Sequence, residues 1–203
     1  ENLTLKVKNL SIGLKDRYSP DTFVFRNCTF VTVHDIDSSF ITLEAEKKAE
    51  FENCSFKAAD RTCFTVEPFA DLNITGSDAF TILVQGLANS DIRIADCDIA
   101  NFLVMSAENL HFVSKLPYTV SIDQTTSVSV SNVDEYPEHP NGSYPTLTVK
   151  NGTNGSFAAI RITDSSLAAN RIVYVQDSVY TIYASNSHIG TLVIWECLIK
   201  QLC

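Results

Sequence analysis

The residues best suited to chemistry sit in one short stretch, Ile92-Arg93-Ile94-Ala95-Asp96-Cys97-Asp98-Ile99. An apolar–polar alternation of strand type leads into two carboxylates separated by one residue. Flanking a turn, such a pair can act as general acid and general base, and Arg93 adds a cation beside them. The plainer reading is a solvated turn, because aspartate is a good turn residue in its own right. The four histidines, His34, His111, His139 and His188, lie in different parts of the chain without metal-ligand spacing. No Gly-x-Ser-x-Gly, His-Glu-x-x-His, phosphate-loop or papain-like cysteine signature is present. The sequence calls for neither a metal nor a cofactor.

That stretch is one copy of a recurring unit. It returns as Phe23-Val24-Phe25-Arg26-Asn27-Cys28-Thr29-Phe30, Ala49-Glu50-Phe51-Glu52-Asn53-Cys54-Ser55-Phe56, Leu72-Asn73-Ile74-Thr75-Gly76-Ser77-Asp78-Ala79 and Ile160-Arg161-Ile162-Thr163-Asp164-Ser165-Ser166-Leu167. Weaker copies lie at Leu110-His111-Phe112 and Val128-Ser129-Val130. Between copies runs a second strand-like segment, at 40–43, 63–66, 80–84, 102–104, 118–122, 147–149, 171–175 and 192–194. A repeat near 20 residues with at least two short strands means a solenoid. The excess length before the copy at 160–167 falls in 134–145, which holds three prolines and an Asn-Gly turn signal, and reads as a loop inserted in one coil. Period two prevails and Val, Ile, Thr, Phe and Tyr dominate the apolar positions, so helix is expected almost nowhere. The chain is read as one solenoid domain over 1–203, all-β, of about eight coils.

The strand–turn–strand unit, with Asn27, Asn53 and the small residues behind them, resembles the pectin-lyase-like right-handed parallel β-helix superfold over nearly the whole length. The rival is a leucine-rich-repeat solenoid, because Ile92-x-Ile94-x-x-Cys97-x-Ile99-x-x-Phe102 fits that template; leucine, however, is not dominant. The superfold resemblance implies acidic-polysaccharide cleavage or binding, by clustered Asp or a Ca²⁺ site with a nearby Arg or Lys. Candidates of that kind are Asp60 with Arg61, Asp91 with Arg93, Asp96 with Asp98, and Asp164 near Arg161.

In a β-helix, equivalent residues of successive coils stack. Cys28 and Cys54 are then expected to pair or to sit stacked in the core, Cys197 and Cys203 to close the C-terminal end, and Cys63 and Cys97 to remain as a poorly determined pair. Six cysteines, an even number without CxxC spacing, and eight Asn-x-Ser/Thr sequons point to an extracellular, disulfide-containing glycoprotein. The sequons are at Asn2, Asn9, Asn27, Asn53, Asn73, Asn141, Asn151 and Asn154. Asn27 and Asn53 are contested and read rather as an internal ladder of stacked asparagines, which leaves Asn2, Asn9, Asn73, Asn141, Asn151 and Asn154 as the expected glycan sites. No signal peptide precedes Glu1, which reads as a mature or trimmed start, and an apolar run ending in Cys203 reads as the truncation of a longer protein. Fifteen basic against 24 acidic residues, net −9, with no basic stripe, argue against nucleic acid and anionic membrane surfaces. No apolar run is long enough to span a bilayer.

Outward positions of the repeated strand read Val24, Glu50, Asn73, Arg93, His111, Ser129, Arg161 and Tyr183, a mixed polar face. Those of the second strand read Thr42, Thr65, Leu83, Leu103, Thr119, Thr148, Tyr174 and Val193, which carry no charge. With Trp195 nearby, Leu83, Leu103, Tyr174 and Val193 form a candidate apolar stripe for a protein partner or self-association. The expectation is an extracellular binding module, a receptor ectodomain or matrix component, that acts through a face of a rigid stack. A polysaccharide-active lyase or hydrolase using Asp96, Asp98 and Arg93 is the alternative.

Overall fold

A computed structural model describes residues 1–13, 20–33, 36–135, 144–150, 158–176, 179–195 and 198–202. They form twenty strands, β1 to β20 in chain order, every pairing parallel, in a β-solenoid of about seven turns. Ladder I contains β3 (Thr22–Arg26), β6 (Lys48–Glu52), β9 (Asp71–Thr75), β11 (Asp91–Ala95), the end of β12 (Asp98–Val113), β14 (Thr125–Ser131), β16 (Ala158–Thr163), β18 (Val179–Ser185) and β20 (Leu198–Leu202). Ladder II contains β2 (Asn9–Ile12), β5 (Ser39–Leu43), β8 (Thr62–Val66), the end of β10 (Asp78–Gly86), the start of β12, β13 (Thr119–Asp123), β15 (Thr146–Lys150), β17 (Ile172–Gln176) and β19 (Thr191–Trp195). A narrow ladder III joins them through β1 (Thr4–Val7), β4 (Thr29–Thr32), β7 (Ser55–Lys57) and the starts of β10 and β12. It shrinks to the bridges Asp134–Ser166–His188 in later coils. The turn count falls slightly below the eight expected. The leucine-rich-repeat alternative fails: among the described residues no helix occupies the return path.

The corner between ladders I and III is one residue wide and left-handed. Asn2, Asn27, Asn53, Gly76, Asp96, Ser114, Asn132, Asp164 and Asn186 all have φ between 48° and 67°. Asparagine, aspartate and glycine tolerate this region best, which is why they recur here. Gly76 is doubly constrained, since a Cβ there would collide with Asn53 Oδ1. From Asn2 to Asp164 each corner N–H donates to the next coil, as Asn27 does to Glu52 O at 2.9 Å and Asn53 to Thr75 O at 2.9 Å. At six corners the next residue is small or compact and buried, namely Cys28, Cys54, Ser77, Cys97, Val133 and Ser165, whereas Leu3 and Lys115, after Asn2 and Ser114, are exposed.

Inward residues alternate with outward ones along most strands and make one continuous core. In the early coils it is aromatic: Phe25 stacks on Phe51 at 4.9 Å between ring centroids, Phe30 on Phe56 at 5.1 Å, and Phe64 meets Phe51 edge-on at 5.6 Å. Later coils substitute Val, Ile and Leu. One buried charge interrupts this pattern. Arg171, 1% exposed, donates from Nε and Nη2 to the Glu135 carboxylate, with Nε–Oε2 at 2.7 Å. Its remaining donors reach Tyr118 O, Thr146 O and Pro117 O. Charge and donor capacity are thus both met, as a buried guanidinium requires. This pin ties Glu135, at the root of the expected insertion, to three neighbouring segments; most of the insertion, 136–143, lies outside the described residues.

Two expectations are corrected here. Cys28, Cys54, Cys63 and Cys97 are free thiols. Cys28 and Cys54 do stack in the corner column, but each S–H donates to backbone carbonyls instead: Cys28 Sγ to Arg26 O at 3.3 Å, and Cys54 Sγ to Phe25 O at 3.4 Å. Cys97 does the same with Ile74 O and Ala95 O, while Cys63 is outward on ladder II, so their side chains face opposite ways. Cys197 and Cys203 lie outside the described residues. Second, Asn27 and Asn53 form no side-chain ladder. Both are exposed, their backbone conformation is what the corner needs, and the nearest thing to a ladder is Asn186 Nδ2 donating to Asp164 Oδ1 at 2.9 Å.

Candidate functional sites on two outer faces

The outer face of ladder I carries the column Val24–Glu50–Asn73–Arg93–His111–Ser129–Arg161–Tyr183 in unbroken register. Two residues toward the strand starts runs a second column that includes Lys48, Asp71, Asp91 and Asn109. Stacking places side chains about 4.8 Å apart from coil to coil, so residues distant in sequence become neighbours. The result is an open cleft of about 400 Å³ lined by Asp71, Asn73, Asp91, Arg93, His111, Ser129 and Ser131, with Val113 at its side.

Three of these residues form a chain of polar contacts. Ser129 Oγ lies 2.7 Å from His111 Nδ1, and His111 Nε2 lies 3.5 Å from Asp91 Oδ1. One rung further, Asp71 is paired in register with Asp91. Partial burial, and then the Asp91 charge, push the Asp71 carboxyl above the usual carboxylate range, with Lys48 opposing. Arg93 makes no hydrogen bond or ion pair among the described residues and is exposed. Arg161, the rung after Ser129, leans onto the Tyr183 ring, 5.3 Å from its centroid.

Of the carboxylates singled out in the sequence, Asp91 shares the cleft with Arg93, whereas Asp96 and Asp98 do not. Asp96 is an exposed corner residue whose N–H donates to Val113 O at 3.0 Å. Asp98 lies beyond the corner at the start of β12, 3.2 Å from Lys115 Nζ. It lines a different cleft, of about 600 Å³, together with Asp78, Phe80, Lys115, Tyr118 and Arg171. Asp60 and Arg61 are bonded to each other at 2.7 Å, which lowers the carboxyl's pKa below its ordinary range. The Ser129–His111–Asp91 chain was not visible as a motif, because 18 residues separate Ser129 from His111. The usable signal was the column itself, in which His111 and Ser129 are successive outward residues.

Ladder II presents the opposite character. Its central outward column is Phe40–Cys63–Leu83–Leu103–Ser121–Thr148–Tyr174–Val193. Leu83, Leu103, Thr148, Tyr174 and Val193 occupy this column as the sequence implied. Phe40, Cys63 and Ser121 replace Thr42, Thr65 and Thr119, which stand two residues away on the same face. Loops of unequal length shift the strand starts by two residues, which changes the neighbours without turning any side chain over. Four apolar residues are therefore consecutive, from Phe40 to Leu103, and Phe40 is 49% exposed. Exposed Phe80 and Met105 lie on the same two coils. The flanking columns are polar: Thr81, Asn101, Thr119 and Thr146 on one side, Thr42, Thr65, Gln85 and Ser106 on the other. In the later coils Trp195, 56% exposed, follows Gln176 in the column beside Tyr174 and Val193.

Among the sequons, the side chains of Asn2, Asn9, Asn27 and Asn53 are exposed and that of Asn73 is half-buried on the outer face of ladder I; Asn141, Asn151 and Asn154 lie outside the described residues. No helix of the described residues is long and apolar enough to cross a membrane. Comparison of the chain with protein-family models, with curated proteins and with solved structures gives no match. The resemblance to the pectin-lyase-like superfold therefore stands on architecture alone.

Proposed function

We propose that this chain is an extracellular glycoprotein binding module that docks a protein partner on the outer face of ladder II. The observation that carries the reading is the uncharged column Phe40–Cys63–Leu83–Leu103, bordered on one side by Thr42, Thr65, Gln85 and Ser106 and, beside its two leucines, by Thr81 and Asn101 on the other. An apolar centre inside a hydrogen-bonding rim is the anatomy of a protein–protein interface, and a rigid stack holds it flat for an extended partner. Tyr174, Val193 and Trp195 supply a second anchor on the same face, with the aromatic types that dominate binding energy. The eight sequons support the extracellular placement. A polysaccharide-active site built from Asp96, Asp98 and Arg93 has less behind it, since Asp98 and Arg93 line separate clefts.

The test is capture of extracellular proteins from the source tissue by the glycosylated chain, alongside sedimentation to report self-association. Leu103→Arg and Tyr174→Arg place a charge in each anchor and are expected to weaken capture by about 30-fold or more, the cost of burying an unpaired charge. If both variants leave partner binding and oligomeric state untouched, this face is not the interface.

A further inference from the structure

We propose that Ser129, His111 and Asp91 form a nucleophilic acyl-transfer site on the outer face of ladder I, acting on short-chain carboxylic esters. This rests on the polar cleft alone and is independent of the ladder II interface. The Ser129 hydroxyl is within 2.7 Å of an imidazole nitrogen, the reach that a general base needs to remove its proton. The other ring nitrogen faces Asp91, which favours the tautomer with Nδ1 free to accept and stabilises the imidazolium once it forms. His111 here presents Nδ1 to the serine and Nε2 to the carboxylate.

The step balances without any further co-reactant. Ser129 Oγ attacks the ester carbonyl carbon while its proton passes to His111 Nδ1. The C–O bond to the alcohol breaks, and that oxygen leaves with the proton from Nδ1. Water then gives a proton to His111, its oxygen attacks the acyl-serine, and the carboxylic acid departs as Ser129 recovers its proton. Backbone N–H groups of the ladder are committed to neighbouring coils, so they offer no oxyanion hole. Arg93, the one arginine lining the cleft and without a hydrogen bond or ion pair among the described residues, is the donor that meets the developing oxyanion. A cleft of about 400 Å³ with mostly polar walls has no apolar tunnel for a long acyl chain, which restricts the acid half to a few carbons. Its openness suits an ester carried on an extended polar alcohol.

The experiment uses p-nitrophenyl acetate hydrolysis together with a fluorophosphonate probe whose site of attachment is mapped by peptide mass spectrometry. Wild-type protein is expected to carry the probe on Ser129. Ser129→Ala should abolish labelling and lower kcat/KM at least about 100-fold, the scale of general-base catalysis; His111→Gln should do nearly the same. Asp91→Asn, a positioning change, should lower kcat with KM and thermal midpoint unaltered, whereas Lys57→Ala, on ladder III, should change nothing. All four positions are outward, so folding is checked by strand signal and melting alongside. Wild-type protein that is unlabelled at Ser129, or turnover that survives in Ser129→Ala, overturns the proposal.

Discussion

The two outer faces of this solenoid are built from the same backbone and differ in what each rung contributes. On ladder II, successive coils place like beside like: Phe40, Cys63, Leu83 and Leu103 stack into a strip whose only available gain is removal of apolar surface from water. On ladder I they place unlike groups together, so that Asp91, Arg93, His111 and Ser129 complement one another across coils. Repetition thus yields a partly apolar surface on one side and a polar constellation on the other. The difference lies in side chains alone, because both ladders keep the same parallel register.

The largest effect should erase both faces together. Glu135→Ala leaves the Arg171 guanidinium buried without its counter-charge, and such a loss costs about 3–5 kcal/mol. Urea denaturation should show the unfolding free energy reduced by that amount. Partner capture and Ser129 labelling should fall in parallel as the folded fraction falls. A change under about 1 kcal/mol would mean that the pin is dispensable and that the faces do not share one cooperative scaffold. Next in size is the separation of the faces: Leu103→Arg should lose capture and keep the fluorophosphonate label, and Ser129→Ala should do the reverse. Coupled losses in folded protein would break the two-face description.

This contrast also explains what could be read from the chain. The ladder I column was legible from Val24 to Tyr183, because most copies carry a corner residue and a small residue that fix the phase, and the weaker copies at His111 and Ser129 keep the apolar alternation. Ladder II strands lack such a marker, and turns of unequal length precede them, so Thr42 stood in for Phe40 and Thr65 for Cys63. The chemistry of ladder I was missed for a different reason. Motif reasoning follows sequence spacing, whereas a solenoid puts its neighbours one coil away. Sequons pose the converse problem. Asn2, Asn27 and Asn53 are corner residues with positive φ, each two residues before a Thr or Ser that starts a ladder III strand, with the residue between buried at Cys28 and Cys54 and exposed at Leu3. The corner grammar writes Asn-x-Thr/Ser by itself, so these three sequons have a structural cause apart from any glycan. The cysteines of the same column have one too, being small groups whose S–H finds a carbonyl.

A smaller effect tests the thiols. Burial, the dominant cause, raises the Cys97 pKa above its ordinary value, with backbone hydrogen bonds opposing. The unfolded chain therefore ionises first as pH rises past about 8.5. The stability associated with Cys97 is complete below that pH and declines above it. Cys97→Ala should lose stability between pH 7 and pH 10 less steeply than wild type in paired melts. Equal slopes would show that Cys97 titrates as freely folded as unfolded.

The smallest effect returns to the polar face. Asp71 has its pKa raised first by burial and second by the charge of Asp91, while Lys48 lowers it. Folded protein thus holds the Asp71 proton more tightly than the unfolded chain, whose carboxyl titrates near about 3.9. Stability is then highest below that pH and declines as pH rises through the folded value, the reverse of an ion-paired carboxylate such as Glu52 beside Arg26. Because Asp71 is largely exposed, solvent screening keeps the contribution to a few tenths of a kcal/mol. The carboxyl resonance in an NMR titration is the more sensitive measurement. Asp91→Asn should bring the Asp71 pKa down only part of the way, since burial remains. Complete return to the ordinary value would make the two carboxylates a purely electrostatic pair, and no movement would mean that Asp91 directs its charge wholly toward His111. The first result weakens, and the second strengthens, the assignment of Asp91 as the anchor of the imidazole.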